Sequence, residues 1–179
     1  MTDGPDPADP TDPTDPTGPA GGSGTDDGLR GPFLLDVMLG KLASYLRMCG
    51  YDAAYALDRG IEADEEVLDL ARAEDRTLLT RDVQLAGRAG RSLLLTEREP
   101  VDQLRELATA GLALDLDERP SRCGRCNGPV ERVSDGDETP EYAPDPVETP
   151  QWRCTECGQV FWRGSHWDRV RETLAGLDG

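Results

Sequence analysis

Residues 33–57 read FLLDVMLGKLASYLRMCGYDAAYAL. The first five residues are mostly apolar and include one acid, a pattern typical of a short buried strand. Leu39, Leu42 and Leu46 then recur at helical spacing, and Gly50 follows them as a helix-ending glycine. Residues 51–57 (YDAAYAL) are a second strand candidate. The segment therefore predicts a strand, a helix and a second strand in succession.

The same alternation continues as far as residue 111. The pattern predicts a helix over 63–76, a strand over 77–82, a short helix over 83–90, a strand over 91–96 and a helix over 100–111. Strands that alternate with helices in this way are typical of parallel sheets. Residues 32–117 are therefore predicted to form an α/β domain, with a mainly parallel sheet and helices on both of its faces.

Four of the five cysteines form two CxxC pairs, in CGRCNG (123–128) and CTECGQ (154–159). Two such turns can bring four thiolates into the tetrahedron that a structural zinc ion requires. We therefore expect Cys123, Cys126, Cys154 and Cys157 to bind Zn²⁺. Residues 118–179 are predicted to form a zinc ribbon that is followed by a C-terminal helix. A thiol redox protein is disfavoured, since its single CxxC normally lies at a helix start.

Residues 1–31 consist mainly of Asp, Pro, Thr and Gly, and are predicted to be a disordered tail because they contain too few apolar side chains to form a core. The whole chain has a formal net charge of −17. Such acidity usually disfavours a polyanionic partner, but it is also typical of proteins from a high-salt cytoplasm, and we favour this halophilic interpretation because acids occur throughout the chain. No apolar run reaches the length of a membrane span, and no secretory signal is evident, so we expect a cytoplasmic protein without a membrane partner.

Four acids occur where the predicted strands and helices meet. Asp36, Asp58 and Asp82 follow the first three strands, and Asp64 begins a helix. Because the carboxyl ends of parallel strands share one edge with helix N-termini, these four acids are predicted to converge there. Carboxylates suit Mg²⁺ or Mn²⁺, which support phosphodiester hydrolysis. Two alternatives remain open, in which Asp64 only caps its helix and Asp58 only forms a turn.

Basic and aromatic residues are candidates for binding RNA. Lys41 and Arg81 are predicted to hold phosphates, although Lys41 could instead face solvent and Arg81 could pair with an acid. Arg47, on the same helix as Lys41, could also hold a phosphate, but we expect it on a solvated helix face. Residues 119–163 carry six arginines, with aromatic residues interleaved, that either bind RNA or pack the small core of the ribbon: Arg119, Arg122, Arg125, Arg132, Arg153, Arg163, Trp152, Phe161 and Trp162. His166 is a candidate acid–base or substrate-contacting group, but a residue that packs on the ribbon is the simpler interpretation.

Several motifs resemble, in the same order, those of the Mut-seven C-terminal ribonuclease family. They are FLLDVMLGKLASYLRMCGYDA (33–53), DEEVLDLARAEDRTLLTRD (64–82), CGRCNG (123–128) and CTECGQVFWRGSHW (154–167). The resemblance implies a PIN-like nuclease domain with an appended zinc ribbon. It also implies that Asp36, Asp64 and Asp82 bind a divalent metal, with Asp58 as a weaker match.

Two functions follow from these observations. The first is a divalent-metal-dependent ribonuclease that uses the carboxylate cluster, with RNA as substrate. The alternative is a non-catalytic zinc-ribbon adaptor that binds nucleic acid or protein. The net charge favours the adaptor, as does the lack of a counterpart to the mid-domain acid that PIN-like nucleases carry on a longer helical insertion.

Overall fold

The computed structural model describes Leu29 and residues 31–178. Of the predicted tail, 1–31, only Leu29 and Gly31 belong to the described part of the chain. Residues 32–117 are called the α/β body below, and residues 118–178 are called the ribbon.

The α/β body contains a parallel four-stranded sheet in the order β2-β1-β3-β4. Its strands are β1 (Phe33–Leu35), β2 (Ala53–Tyr55), β3 (Thr77–Thr80) and β4 (Ser92–Leu94). Its helices are α1 (Gly40–Met48), α2 (Asp64–Ala73), α3 (Val83–Arg88) and α4 (Pro100–Thr109). The predicted α/β class with a parallel sheet is confirmed.

The two faces of the sheet bury separate hydrophobic clusters. One cluster contains Phe33 and Leu35 of β1 together with residues of α1 and α4. The other contains Leu34 together with residues of α2 and α3. Because neighbouring strand residues point to opposite faces, the three-residue strand β1 contributes to both clusters and is buried on each side.

The second strand is shorter than the sequence indicates. It ends at Tyr55, and residues Ala56–Arg59 form a 3₁₀ helix that closes with Gly60 in a left-handed conformation, at a φ of 69°. The predicted strand over 51–57 is therefore wrong at its end, because an apolar run does not distinguish an extended segment from a tight turn of helix. Asp58 consequently lies within the 3₁₀ helix.

The ribbon contains an antiparallel three-stranded sheet in the order β5-β6-β7. Its elements are β5 (Val130–Arg132), β6 (Gln151–Cys154), β7 (Val160–Trp162) and the helix α5 (Ser165–Ala175). Val170 and Leu174 of α5 join the body's larger hydrophobic cluster. The last helix therefore packs against the α/β body. Among the described residues, no helix combines the length and apolar character that crossing a bilayer requires.

Candidate functional site

The strand order places a crevice between β1 and β3. The chain leaves β1 for β2 on one side, crosses to β3 on the other side and continues outward to β4. In open parallel sheets, ligands bind beyond the carboxyl ends of the strands at the point where the order reverses. Asp36 follows β1 and Asp82 follows β3, so both acids lie at this switch point.

Thr80 connects these two acids. The Thr80 hydroxyl is fully buried and donates a hydrogen bond to Asp36 Oδ2 at 2.7 Å. The Thr80 hydroxyl oxygen in turn accepts a hydrogen bond from the Asp82 backbone N–H at 3.0 Å. Asp36 is only 5% exposed, and its other oxygen accepts the Val37 backbone N–H at 2.6 Å. A carboxylate has about four lone-pair sites, so Asp36 is oriented by two bonds and keeps acceptor capacity.

Asp82 is exposed and caps helix α3. Its Oδ1 accepts the backbone N–H groups of Gln84 and Leu85 at 2.7 and 2.9 Å. These bonds fix the carboxylate at the start of the helix, while its Oδ2 accepts no hydrogen bond among the described residues. The cap therefore leaves one oxygen available to a ligand in the crevice.

Asp58 and Asp64 are placed differently from the first pair. Asp58 Oδ2 forms an ion pair with Arg47 at 2.8 Å. Asp64 is exposed in the first turn of α2, where Ala63 is the N-cap residue, so Asp64 does not cap that helix. Among the described residues, the four cysteines are the one group of three or more possible metal ligands whose donor atoms all lie within 4.8 Å of one another. The four carboxylates are therefore not closely clustered.

Tyr55 lies between the acids and was not identified from the sequence. Its hydroxyl donates to the Val37 carbonyl at 2.6 Å. Burial raises the pKa of Tyr55, and the charges of Asp58 and Asp36 raise it further. Gly40 allows this arrangement, since a Cβ built there would lie 3.0 Å from the Tyr55 ring. The tyrosine hydroxyl is therefore harder to ionise than that of an ordinary tyrosine, and it is bonded to the segment that follows Asp36.

Arg81 lies at the same edge of the sheet without an acid within ion-pair distance. Its Nη1 lies 3.9 Å from Met38 Sδ, and its Nε is buried without a hydrogen-bond partner among the described residues. Burial raises the pKa of the nearby Glu106, but hydrogen bonds from Thr96 and Glu97 and the charge of Arg81 lower it overall. Arg81 therefore carries a positive charge that the described residues leave unpaired.

The four cysteines form the second part of the site. The Sγ atoms of Cys123 and Cys157 are 3.6 Å apart, and those of Cys126 and Cys154 are 3.5 Å apart. A tetrahedron with Zn–S bonds of about 2.3 Å has edges of about 3.8 Å, so the sulfurs fit a zinc ion. Backbone N–H groups of Cys126 and Cys157 approach the first sulfur of their own pair at 3.4 and 3.5 Å. The predicted grouping of these four residues is confirmed.

The arrangement of sheet and ribbon agrees with a comparison against protein families. A family model, the Mut7-C RNAse domain, matches residues 32–174. The chain belongs to this family. The match spans both the α/β body and the ribbon, and the resemblance inferred from the motifs is confirmed. Searches of characterised proteins and of solved structures gave no match.

In this Mut7-C chain, Arg47 joins the body to the ribbon. It is only 3% exposed, so the expectation of a helix face in solvent is wrong for this residue. Its guanidinium donates to the Ala53 carbonyl at 2.8 Å, to the Arg125 carbonyl at 2.9 Å and to the Gly124 carbonyl at 3.3 Å. Its fourth partner is Asp58. Arg47 therefore links the first cysteine turn directly to one of the four acids.

A second connection is centred on Asp52. Its carboxylate accepts hydrogen bonds at 2.7 Å from Arg76 and from the Asn127 amide, and it lies 3.6 Å from Arg122. Asn127 Oδ1 in turn accepts the Ala53 N–H at 2.9 Å. Burial alone raises the pKa of Asp52, but the hydrogen bonds and the arginine charges lower it overall. The ribbon of this Mut7-C chain is thus fixed to β2 by polar contacts.

Proposed function

We propose that this chain is a divalent-metal-dependent ribonuclease that hydrolyses RNA phosphodiester bonds. One observation carries the proposal. In a chain of the Mut7-C RNAse domain family, Asp36 and Asp82 lie together at the switch point of the parallel sheet, where buried Thr80 joins them. The family supports a nuclease, and the position of the two acids supports them as the residues that would perform the chemistry.

Asp36 and Asp82 would hold Mg²⁺ or Mn²⁺, with Asp58 and Asp64 as further candidate ligands. The fit rests on an all-oxygen donor set and on acceptor capacity that the hydrogen bonds to both acids leave open. When bound, such an ion supplies an activated water and stabilises the leaving oxygen of the phosphodiester.

The chain's own residues would position the substrate around that ion. Thr80 keeps the Asp36 carboxylate in one orientation, and the helix cap does the same for Asp82. Arg81 is free of ion pairs with the described acids and would contact an RNA phosphate. Lys41 is exposed in the first turn of α1 and would contact a second phosphate.

We further propose that Cys123, Cys126, Cys154 and Cys157 bind one structural Zn²⁺. Structural zinc sites are four-coordinate and closed, so the ion would have no free position for catalysis. His166 is then not needed as a ligand. The zinc would hold the two cysteine turns together, and through Gly124 and Arg125 it would fix the position of Arg47.

The catalytic role is tested with Asp82→Asn. Asn is as good a helix N-cap as Asp, so this change removes the charge and keeps the start of α3. We expect RNA cleavage with Mn²⁺ to fall more than about 100-fold, since even outer partners of metal ligands cost about 10- to 100-fold. The melting temperature should remain unchanged or rise, because one of several nearby negative charges is removed.

The assay compares protein with and without added Mn²⁺ in metal-depleted buffer, because a chelator could also extract zinc from the ribbon. Asp69→Asn is the matched control, since Asp69 is 77% exposed on α2 and pairs only with Arg72. Wild-type activity in Asp82→Asn would contradict the proposal, as would cleavage that does not depend on added metal.

The non-catalytic adaptor remains the second candidate, and one observation favours it. The described carboxylates do not form a group of three with oxygens within 4.8 Å of one another. If the wild type binds RNA but cleaves none with Mg²⁺ or Mn²⁺, the adaptor is the correct function. Cleavage that requires Asp82 would exclude it.

A further inference from the structure

A cavity of about 270 Å³ lies between helix α1 and the ribbon. Ser44 and Met48 line it from α1. The ribbon contributes aromatic and basic residues, namely Arg122, Arg125, Phe161, Trp162, His166 and Trp167. We call this space the α1–ribbon cavity. Its volume is near the lower end of the range for small-molecule sites, about 300 Å³.

The ribbon core does not use all of its aromatic residues. Trp152 and Trp167 are buried, and the Arg163 guanidinium lies 5.8 and 5.6 Å from the centres of their rings. Phe161 and Trp162 are only partly buried. The two interpretations of the ribbon aromatics therefore apply to different residues, since Trp152 is buried in the core whereas Phe161 and Trp162 line the cavity, and Trp167 is a buried residue that also forms part of the cavity wall.

The turn that follows β7 fixes the position of Trp162. A Cβ built on Gly164 would lie 2.9 Å from the indole nitrogen of Trp162, so a larger residue would displace the ring. Tyr142 supports the ring from another side, with ring centres 6.1 Å apart. Trp162 is therefore a fixed aromatic surface at the wall of the cavity.

Positive charge accompanies this aromatic surface, although the chain as a whole has a net charge of −17. Arg122 is anchored by Asp52 at 3.6 Å and by the Asn127 carbonyl at 3.3 Å. The Arg125 side chain is exposed and makes no ion pair or hydrogen bond among the described residues. Aromatic rings beside arginines suit a base and its flanking phosphates.

The α1–ribbon cavity continues towards the acids along one face of α1. A neighbouring cavity of about 450 Å³ shares Ser44, Met48 and His166 with it and extends to Lys41. Met48 lies seven positions after Lys41 on the helix, which corresponds to about 10 Å along the helix axis. Helix α1 begins at Gly40, shortly after Asp36, whose carbonyl accepts the Leu39 N–H at 2.9 Å. A strand bound at the acids would therefore reach the ribbon along this groove.

We propose that the α1–ribbon cavity binds one unpaired nucleobase of single-stranded RNA, stacked against Trp162 and His166. Arg125 and Lys41 contact the flanking phosphates. The inference rests on the proposed RNA-cleaving function and specifies its substrate as single-stranded RNA. A paired base cannot enter, because its two faces are already covered by neighbouring base pairs.

The test measures binding of a fluorescent single-stranded RNA to the full-length, zinc-loaded chain in the Asp82→Asn background without added Mg²⁺ or Mn²⁺. Trp162→Ala should weaken binding roughly 5- to 100-fold, the usual loss for one base–aromatic stack. An RNA with one abasic position should bind the parent protein more weakly than the intact strand, and Trp162→Ala should reduce this difference. The same strand annealed to its complement should compete poorly.

Two further variants cover the case in which Trp162→Ala perturbs the ribbon. Ser44→Phe fills the cavity from the body side and substitutes no ribbon residue, at the cost of the Ser44 hydroxyl's 3.4 Å hydrogen bond to the Gly124 carbonyl, and it should cause a similar loss of affinity. Arg125→Ala should also weaken binding. Arg132→Ala is its matched control, because Arg132 is an exposed arginine of β5 outside the cavity. Zinc content and melting temperature are measured for each variant.

The outcomes separate this inference from the proposed function. Unchanged RNA affinity in a zinc-replete Ser44→Phe variant overturns the cavity inference, and so does a duplex that binds as tightly as the single strand. If the wild type cleaves RNA in that case, the ribonuclease proposal is supported and only the cavity inference is wrong. Loss of affinity in Ser44→Phe, in a chain that never cleaves RNA, supports the cavity and contradicts the ribonuclease.

Discussion

The α/β body and the ribbon are stabilised in different ways. The body buries two hydrophobic clusters, one on each face of a parallel sheet, and Phe33 and twelve of its leucines are at most 1% exposed. The ribbon has a much smaller interior, in which Cys123 and Cys154 are themselves core residues. A module of this size rarely folds on apolar burial alone, so we expect it to depend on a metal held by the four cysteines.

This difference shows where the chain is most easily damaged. The body positions Asp36 and Asp82 with its own contacts, whereas the ribbon is expected to need a zinc ion and its attachments to the body. The two regions are nevertheless coupled, since α5 adds Val170 and Leu174 to the body core. Arg47 and Asp52 add polar contacts between them. Removal of each connection should therefore separate the contributions of the two regions.

The largest expected effect follows from Cys123→Ser. Loss of one thiolate should abolish zinc binding and unfold the ribbon, because binding free energy in such sites, about 10–16 kcal/mol in small zinc peptides, is folding free energy. All three tryptophans lie in the ribbon, so tryptophan fluorescence reports on it specifically. We expect the emission to shift to longer wavelength, while far-ultraviolet circular dichroism retains most of the signal from the body helices.

Cys49→Ala serves as the control for this variant, since Cys49 lies outside the cysteine group and packs against the body core. It should keep about one zinc per chain and the native fluorescence. Native fluorescence in a zinc-free Cys123→Ser protein would show that the ribbon folds by itself, and the contrast between the two regions would then be wrong.

A smaller effect is expected for Arg47→Met. The change keeps a long apolar side chain but removes the Arg47 donor from the Ala53 and Arg125 carbonyls and leaves the Gly124 carbonyl with only the Ser44 hydroxyl, at 3.4 Å. Unsatisfied buried acceptors cost about 1–3 kcal/mol each where water cannot replace the donor, so we expect about 2–4 kcal/mol lower stability. Urea unfolding followed by both fluorescence and circular dichroism measures this loss.

The test depends on whether the unfolding curves from fluorescence and from circular dichroism separate. In the wild type we expect them to coincide, whereas in Arg47→Met the fluorescence curve should move to lower urea than the circular dichroism curve. Arg59→Met is the control, because Arg59 is 47% exposed and pairs only weakly with Glu74, at 3.4 Å. Equal shifts of both curves would mean that Arg47 stabilises the body alone.

Arg47 also shows what sequence patterns can and cannot predict here. Apolar periodicity predicted the parallel sheet and its helices, and the CxxC spacing predicted the cysteine group, because both signals are local. Arg47 was expected in solvent, since its partners at 124 and 125 are distant in sequence and accept through backbone atoms, which no side-chain pattern reveals.

The candidate acid site was predictable to the same extent. Acids after strands indicated the edge of the sheet at which Asp36 and Asp82 lie, next to its switch point, and their role in binding metal stays a prediction. The roles of Thr80 and Tyr55 depend on packing across strands and had no signal of their own. The pairing of Asp58 with Arg47 was missed for the same reason.

The smallest effect concerns pH and the Asp52 connection. The pKa of this carboxyl is lowered from its ordinary 3.8, because hydrogen bonds from Arg76 and Asn127 outweigh the effect of burial. A lowered folded-state pKa means that Asp52 stabilises the fold fully above its ordinary value, and that this contribution is lost as the pH falls through the folded value. We therefore expect the ribbon fluorescence to change below about pH 4.

In Asp52→Asn the acid dependence should be shallower, and stability at neutral pH lower, because Asn still accepts a hydrogen bond but lacks the charge that attracts Arg76 and Arg122. An Asp52→Asn protein whose acid transition matches that of the wild type would show that this connection does not contribute to holding the ribbon on the body.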